Sequence, residues 1–317
     1  RIPDLWDPCA APSGGEVWLR LPPMLAGVPF SALVDDGGRY LIETHAIARV
    51  GPLLASARSW EDRLPGPALA FGNPSYNAFP GFTSPSIWTA PPEASRDRGP
   101  GMSRCLVPGR MLHGTHVELT LLTQAFGAHG ISLRLLEWDS AYESALREVP
   151  VDLRILHFAT HAYAMDAACF PEVPTDPFHR VGLQLSGISR ARPEDLRRED
   201  DGLLSGSEIS RLPLGSLSLV AFSGCATATG DEVGGEGPMG LTAAAWVSGA
   251  PRTLATLWNV DDESMPRDVN DFYTAWLAGA APAHALRSAL LGALGRARAE
   301  RGHAHPRWWA AFVLEGP

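Results

Sequence analysis

Apolar and polar positions alternate with two different periods along this chain. Over the first 50 residues the period is close to two, which predicts short strands at 16–22, 28–35 and 39–50. Asp36-Gly37-Gly38 is typical of a hairpin turn between the last two. A continuous apolar run at 68–74 predicts a buried strand, and the Pro-, Ser-, Gly- and Arg-rich stretch 74–110 predicts a long loop.

Beyond residue 110, helical and strand periods alternate. We predict helices at 115–127, 140–149, 238–249, 262–278 and 282–298. We predict strands at 131–137, 152–160, 216–224, 251–258 and 308–316. Thr115-x-x-Glu118 and Ser205-x-x-Glu208 have the spacing of capping boxes, and 166–201 is predicted as an irregular insertion.

Strands that alternate with helices predict an α/β fold, with a mostly parallel sheet flanked by helices on both faces. We divide the chain into an N-terminal β-rich segment, residues 1–65, and an α/β region, residues 66–317. The stretches 74–110 and 166–201 are loop insertions in the second region.

Composition excludes several classes of protein. All 26 basic residues are arginine, so a P-loop, a pyridoxal phosphate site, a kinase lysine and an SxxK acyl-enzyme are excluded together. The net charge of −9 argues against a nucleic-acid partner. The four cysteines form no CxxC pair, and no apolar run is long enough for a membrane span. The chain begins without Met and without a signal peptide, so we expect a cytoplasmic domain of a longer protein.

Two predicted strands end in reactive residues. The strand at 152–160 is followed by His161, and the strand at 216–224 by Cys225. If these strands are parallel neighbours, a thiol and an imidazole meet at one sheet edge, as a nucleophile and its base would. The small residues around Cys225 leave main-chain N–H groups free for an oxyanion hole. The alternative is that Cys225 is a buried structural cysteine.

Other polar residues are open to more than one interpretation. His157 and His161 are too far apart on a strand to bind one metal ion, so we expect no metal site. We expect His157 to be either a core residue or a residue that supports a functional side chain. The Gly-rich run 230–240 has no lysine, and its acidic residues Asp231, Glu232 and Glu236 argue against a phosphate loop. Asp261 and Asp262 follow another strand, where they either cap the next helix or form an acidic pocket for a basic side chain.

A set of segments resembles the CHAT domain, a family of caspase-like cysteine peptidases related to separase and gingipain. They occur in the family's order: RILHFATHA, DGLLSGSEISRLPL, LVAFSGCATATG, GLTAAAWVSGAPRTLATLWNVDDES and HPRWWAAFVLEG, preceded by VPFSALVDDGGRYLIETHAI and LAFGNPS. The resemblance covers nearly the whole chain and implies a caspase-like sheet, with 66–317 as its catalytic region.

The resemblance implies roles for individual residues. His161 matches the catalytic base and Cys225 the nucleophile, while the N–H groups of Ala162 and Cys225 match the oxyanion hole. The family usually has Gly in place of Ala162, and Glu in place of Ala226. Asp262, with Asp261 beside it, matches the acidic residue that binds a substrate Arg in separase-like relatives.

The function implied is that of a bacterial cysteine endopeptidase that needs no cofactor and cuts a partner protein. The family suggests a bacterial gasdermin or another defence effector as substrate, and an upstream sensor or TPR region as regulator. Exposed Arg190, Arg192, Arg197 and Arg198 are candidate self-cleavage sites. The alternatives are a latent or inactive docking module, and a thiol acyltransferase or amidase.

Overall fold

The chain folds around one large β-sheet and a small one. The computed structural model describes residues 14–50, 65–76, 109–148, 150–164, 176–188, 201–224, 227–228 and 240–316. The strands are β1 (Glu16–Arg20), β2 (Ala46–Val50), β3 (Ala68–Pro74), β4 (Leu133–Trp138), β5 (Ile155–Ala159), β6 (Ala162–Ala164), β7 (Val181–Gln184), β8 (Leu203–Ser205), β9 (Leu219–Ser223), β10 (Thr253–Thr256) and β11 (Phe312–Glu315). The α-helices are α1 (Leu41–Thr44), α2 (His113–Ala128), α3 (Gly206–Ile209), α4 (Leu241–Val247), α5 (Met265–Leu277) and α6 (Pro282–Arg301).

The large sheet has the order β1-β2-β11-β10-β9-β5-β3-β4 in the described part of the chain, and β6, β7 and β8 form the small antiparallel sheet. Neighbouring strands of the large sheet are parallel, with the exception of β10 and β11. The predicted α/β fold with a mostly parallel sheet is therefore confirmed. The division at residue 65 stays a prediction, and β1 and β2 extend the same sheet as the later strands.

Helices cover both faces of the large sheet, so its central strands are buried on both sides. On β5, Ile155 packs into the cluster that holds α2, α5 and α6, whereas Leu156 and Phe158 pack into the cluster that holds α3, α4 and the small sheet. Such burial explains why the central strands appear in the sequence as continuous apolar runs. None of the helices in the described ranges is long and apolar enough to cross a membrane.

The N-terminal segment differs from its predicted strands. The strand predicted at 28–35 is a 3-10 turn, Phe30–Ala32, followed by a single bridge from Val34 to Tyr40. The strand predicted at 39–50 begins as α1, because the Glu43 carboxylate accepts a hydrogen bond from the N–H of Tyr40 at 2.8 Å and closes a helical turn. The strand itself starts only at Ala46. The predicted turn is present, with Gly38 at φ 79° and its N–H bonded to the Asp35 carbonyl.

Two later segments also differ. The helix predicted at 140–149 is a 3-10 helix, Glu143–Glu148. The irregular insertion 166–201 contributes β7, which pairs with β6 on one side and β8 on the other. Most of the predicted loop 74–110, together with 165–175 and 189–200, lies outside the described residues.

Candidate active site

β5 and β9 are adjacent and parallel, and their ends lie side by side. Ala159 of β5 pairs with Ser223 of β9. His161 follows Ala159 by two residues, and Cys225 follows Ser223 by two residues. The juxtaposition of the two strands that the sequence analysis required is therefore present. Cys225 itself lies outside the described residues, as do Asp231, Glu232, Glu236 and the arginines Arg190, Arg192, Arg197 and Arg198.

His161 is held by a backbone carbonyl. Its Nε2 lies 2.7 Å from the carbonyl oxygen of Arg110. Since a carbonyl oxygen only accepts, Nε2 must carry the proton, and in the neutral ring Nδ1 is the basic nitrogen. No described residue forms a hydrogen bond with Nδ1 of His161. This arrangement gives the imidazole one fixed nitrogen and one that can exchange a proton.

A glycine allows the Arg110 carbonyl to come so close. A Cβ atom at Gly109 would lie 1.9 Å from Cδ2 and 2.5 Å from Nε2 of His161, so the backbone passes directly over the ring. The N–H of Gly109 donates to Oε1 of Gln184 at 2.6 Å. Gln184 also donates its own N–H to the His161 carbonyl at 2.8 Å. Gln184 thus connects the segment above His161 to the backbone of His161.

Tyr76 also packs against His161. Its ring centroid lies 5.2 Å from that of His161. Its hydroxyl lies 2.8 Å from Oγ1 of Thr160, which donates in turn to the Gln184 carbonyl at 2.6 Å. Burial raises the pKa of Tyr76 to about 12, so this hydroxyl stays protonated and can continue to donate. Neither Tyr76 nor Gln184 stands out in the sequence, because their roles depend on contacts 85 and 75 residues away along the chain.

Ala162 directs its N–H away from the small sheet. His161 lies opposite Gln184 and accepts its N–H, so the next residue, Ala162, points its own N–H to the opposite side of β6. A Cβ atom on Gly224 would lie 3.7 Å from that nitrogen and 2.7 Å from the Thr160 carbonyl oxygen. The N–H of Ala162 therefore lies beside the residue that immediately precedes Cys225.

Asp262 caps a helix, although not the helix that follows it. Its Oδ2 accepts a hydrogen bond from the N–H of Gly114 at 2.8 Å, in the first turn of α2. The helix after it, α5, begins after Ser264. Asp262 is half-buried and follows β10, which is parallel to β9, so it lies at the same edge of the sheet as His161, whereas Asp261 is exposed. The specificity role of both residues stays a prediction.

The capping box predicted at Thr115 and Glu118 is wrong. Both residues lie inside α2, which begins at His113 and whose preceding residue, Leu112, provides no side-chain cap. Glu118 instead points into the core, where Oε1 lies 2.7 Å from Nε2 of His157. The other box is confirmed: Ser205 accepts from the N–H of Glu208 at 3.2 Å, and Glu208 accepts from the N–H of Ser205 at 2.8 Å.

His157 is a buried core residue, as its position on a strand predicted. Its Nδ1 lies 3.1 Å from the hydroxyl of Tyr273, so both of its ring nitrogens have partners. Among the described residues, no group of three or more His, Cys, Asp or Glu side chains is placed to hold a metal ion.

Comparison with known proteins places the chain in a family. The family model described as "CHAT domain" matches residues 5–317. No curated protein sequence matches.

Among solved structures, the Saccharomyces cerevisiae separase–securin complex is similar at a TM-score of 0.47 and 14% identity, over 92% of this chain and 15% of that one. The Arg-specific cysteine proteinase gingipain R is similar at a TM-score of 0.42 and 8% identity, over 90% of this chain and 56% of that one. The complex of the pro- and mature domains of Porphyromonas gingivalis RgpB is similar at a TM-score of 0.39 and 8% identity, over 86% of this chain and 55% of that one. The chain thus spans 15 to 56% of these longer chains. From the family match over nearly its whole length, we conclude that the chain belongs to the CHAT-domain family.

Proposed function

We propose that this chain is a cysteine endopeptidase in which His161 is the general base and Cys225 the nucleophile. The observation that carries the proposal is the hydrogen bonding of the His161 ring. Its Nε2–H is bound to the Arg110 carbonyl, and its basic Nδ1 lies at the sheet edge where the chain continues from β9 into Cys225. A base within reach of a thiol, itself oriented by a third group, is the arrangement that nucleophilic catalysis requires.

The mechanism has two stages. Nδ1 of His161 takes the thiol proton, and the thiolate attacks the scissile carbonyl carbon, so that its oxygen becomes an oxyanion facing the N–H groups of Ala162 and Cys225. When the C–N bond breaks, the protonated His161 gives its proton to the departing amine and a thioester remains. His161 then takes a proton from water, and the hydroxide displaces the thiolate to release the carboxylic acid. The Arg110 carbonyl stabilises the imidazolium of both stages.

Cleavage of a positional-scanning peptide library tests the proposal. We expect turnover by the wild type, none by Cys225→Ala and about 10²- to 10⁴-fold less by His161→Ala, with both variants retaining the circular dichroism spectrum of the wild type. Cleavage by Cys225→Ala would refute the nucleophile. If the wild type were inactive and Cys225 resisted alkylation, the chain would be a docking module; cleavage of small amides alone would indicate an amidase or acyltransferase.

The proposal includes a preference for a basic residue before the scissile bond, with Asp262 as its partner. The position of Asp262 after β10, at the same edge as His161, supports this. Asp262→Asn is the sharp variant, because the amide oxygen can still accept from the N–H of Gly114 while the charge is removed. We expect kcat/KM to fall for Arg substrates and not for neutral ones, with Asp261→Asn as the matched control. Equal losses on both substrates would assign Asp262 to structure alone.

The cellular role follows from family membership alone. We propose an effector domain in a bacterial defence or cell-death system, with a protein substrate such as a gasdermin and an upstream sensor or TPR region as regulator. Profiling of new protein N-termini in cells that express the wild type or Cys225→Ala tests it. New termini in one or a few proteins, with the wild type only, are expected; their absence on activation would contradict a dedicated partner.

A further inference from the structure

A buried polar chain lies beneath the two strands that carry the proposed dyad. It runs from Tyr273 on α5 through His157 on β5 and Glu118 on α2 to Ser223 on β9. The side-chain distances are 3.1 Å from the Tyr273 hydroxyl to Nδ1 of His157, 2.7 Å from Nε2 of His157 to Oε1 of Glu118, and 2.9 Å from Oγ of Ser223 to Oε2 of Glu118. Its members are 0 to 4% exposed.

The hydrogen atoms can be assigned so that each of these three contacts has one donor and one acceptor. Burial raises the pKa of Tyr273 well above its usual value, so its hydroxyl is a donor, and it donates to Nδ1 of His157. The imidazole then donates from Nε2 to one carboxylate oxygen of Glu118, and the hydroxyl of Ser223 donates to the other. A buried carboxylate tolerates its position only when such donors surround it. Glu118 therefore fixes both partners at once.

The two partners of Glu118 are on different strands. His157 precedes His161 by four residues on β5 and its extension, and Ser223 precedes Cys225 by two residues. Main-chain hydrogen bonds between β5 and β9 already hold the strands together. The carboxylate adds a link from helix α2 to the middle of β5 and to the last residue of β9, which lies two residues before Cys225. A reacting pair needs this kind of support, because small displacements cost large factors in rate.

We propose that Glu118, acting through Ser223 and His157, is a positioning residue that sets the geometry of His161 and Cys225. This inference rests on the proposed dyad. Glu118, His157 and Ser223 are 1 to 4% exposed, so they act from inside the core and not on the substrate.

The test uses Ser223→Ala, which removes the link to β9 and leaves the pair of Glu118 and His157 intact. Ser218→Ala is the matched control, since Ser218 is as buried and precedes the same strand at its other end. Two readouts are measured: kcat and KM on a peptide substrate, and the alkylation rate of Cys225 by iodoacetamide, followed by mass spectrometry at that peptide. We expect Ser223→Ala to lower kcat about tenfold with KM unchanged, and to slow alkylation, while Ser218→Ala does neither.

Variants of Glu118 separate geometry from a general loss of stability. Glu118→Gln can accept from His157 with its oxygen and donate to Ser223 with its amide, so we expect it to retain most of the activity. Glu118→Leu breaks both links and should lose it; if this variant does not fold, Ser223→Ala decides. Equal kcat and alkylation rates in wild type and Ser223→Ala would overturn the positioning role. A Cys225 alkylation rate unaffected by His161→Ala would instead overturn the dyad itself.

Discussion

Two histidines four residues apart, one on β5 and one just beyond its end, have opposite environments. His157 is 1% exposed and has a partner on each ring nitrogen, Tyr273 and Glu118. His161 is half-buried, and only its Nε2 is bonded to a described residue, the Arg110 carbonyl. A histidine whose two nitrogens are both bonded in the core holds its neighbours in place. One that keeps a nitrogen unbonded can transfer a proton. The comparison supports a structural role for His157, and the unbonded Nδ1 is what the catalytic role proposed for His161 requires.

The largest effect is expected from His161→Ala. Loss of the general base should reduce kcat/KM by about 10²- to 10⁴-fold, since this is what a positioned proton acceptor contributes. The free energy of unfolding should change by only about 0.5 kcal/mol, because the side chain is partly exposed. Peptide cleavage and chemical denaturation of the same sample measure both. A large loss of stability would mean that His161 is a structural residue like His157.

His157→Ala should destabilise the folded protein, unlike His161→Ala. It leaves the Glu118 carboxylate and the Tyr273 hydroxyl buried without their shared partner, which costs about 3 kcal/mol of unfolding free energy. Urea denaturation measures the difference, with His179→Ala, a partly exposed histidine, as control. A stability equal to that of the wild type would show that the buried chain of hydrogen bonds is dispensable for folding.

Gly109→Ala would disturb the surroundings of His161 while leaving the histidine itself unmutated. The added methyl group overlaps the ring, so the imidazole must leave the Arg110 carbonyl or the segment must lift. We expect kcat to fall about tenfold. Gly127→Ala on α2 is the control, because a Cβ there meets nothing within 4 Å. Unchanged kcat in Gly109→Ala would show that the Arg110 carbonyl does not orient the base.

The smallest effect concerns a second buried acid, Asp268 on α5. Burial raises its pKa from 3.8 to about 7, despite a hydrogen bond of 2.6 Å from Arg296. The folded protein then retains a proton that the unfolded chain releases above its ordinary pKa, so stability falls as the pH rises from about 4 to about 7. Because the Arg296 guanidinium favours the charged carboxylate and so opposes the rise in pKa, we expect a loss of only about 1 kcal/mol.

Denaturation at several pH values measures this loss. Asp268→Asn should remove this fall in stability between about pH 4 and about pH 7. Asp271→Asn should keep it, because Asp271 is the more exposed of the two partners of Arg296. An identical slope in wild type and Asp268→Asn would contradict the raised pKa.

The order of strands and helices after residue 110 was predictable because the apolar spacing of each element follows directly from which faces the sheet buries. The sequence analysis could only assume that β5 and β9 are neighbours, because the order of strands in a sheet is not encoded in any local pattern. The prediction was wrong where the same short motif is compatible with two different structures. Thr115-x-x-Glu118 fits a capping box, but α2 begins at His113, two residues before Thr115. Glu118 is five residues into the helix and lies on its buried face.

The sequence by itself determined the alternation of elements, the family and the two residues proposed for the chemistry, because periodicity and reactive side chains are properties of the chain. Only the tertiary structure decided which nitrogen of His161 is basic, that Gly109 lies over its ring, and that Asp262 caps α2 rather than α5. It also joined Glu118 to His157 and Ser223, which are 39 and 105 residues away. Hydrogen bonds between distant segments depend on how the sheet and helices pack, and no local pattern records them.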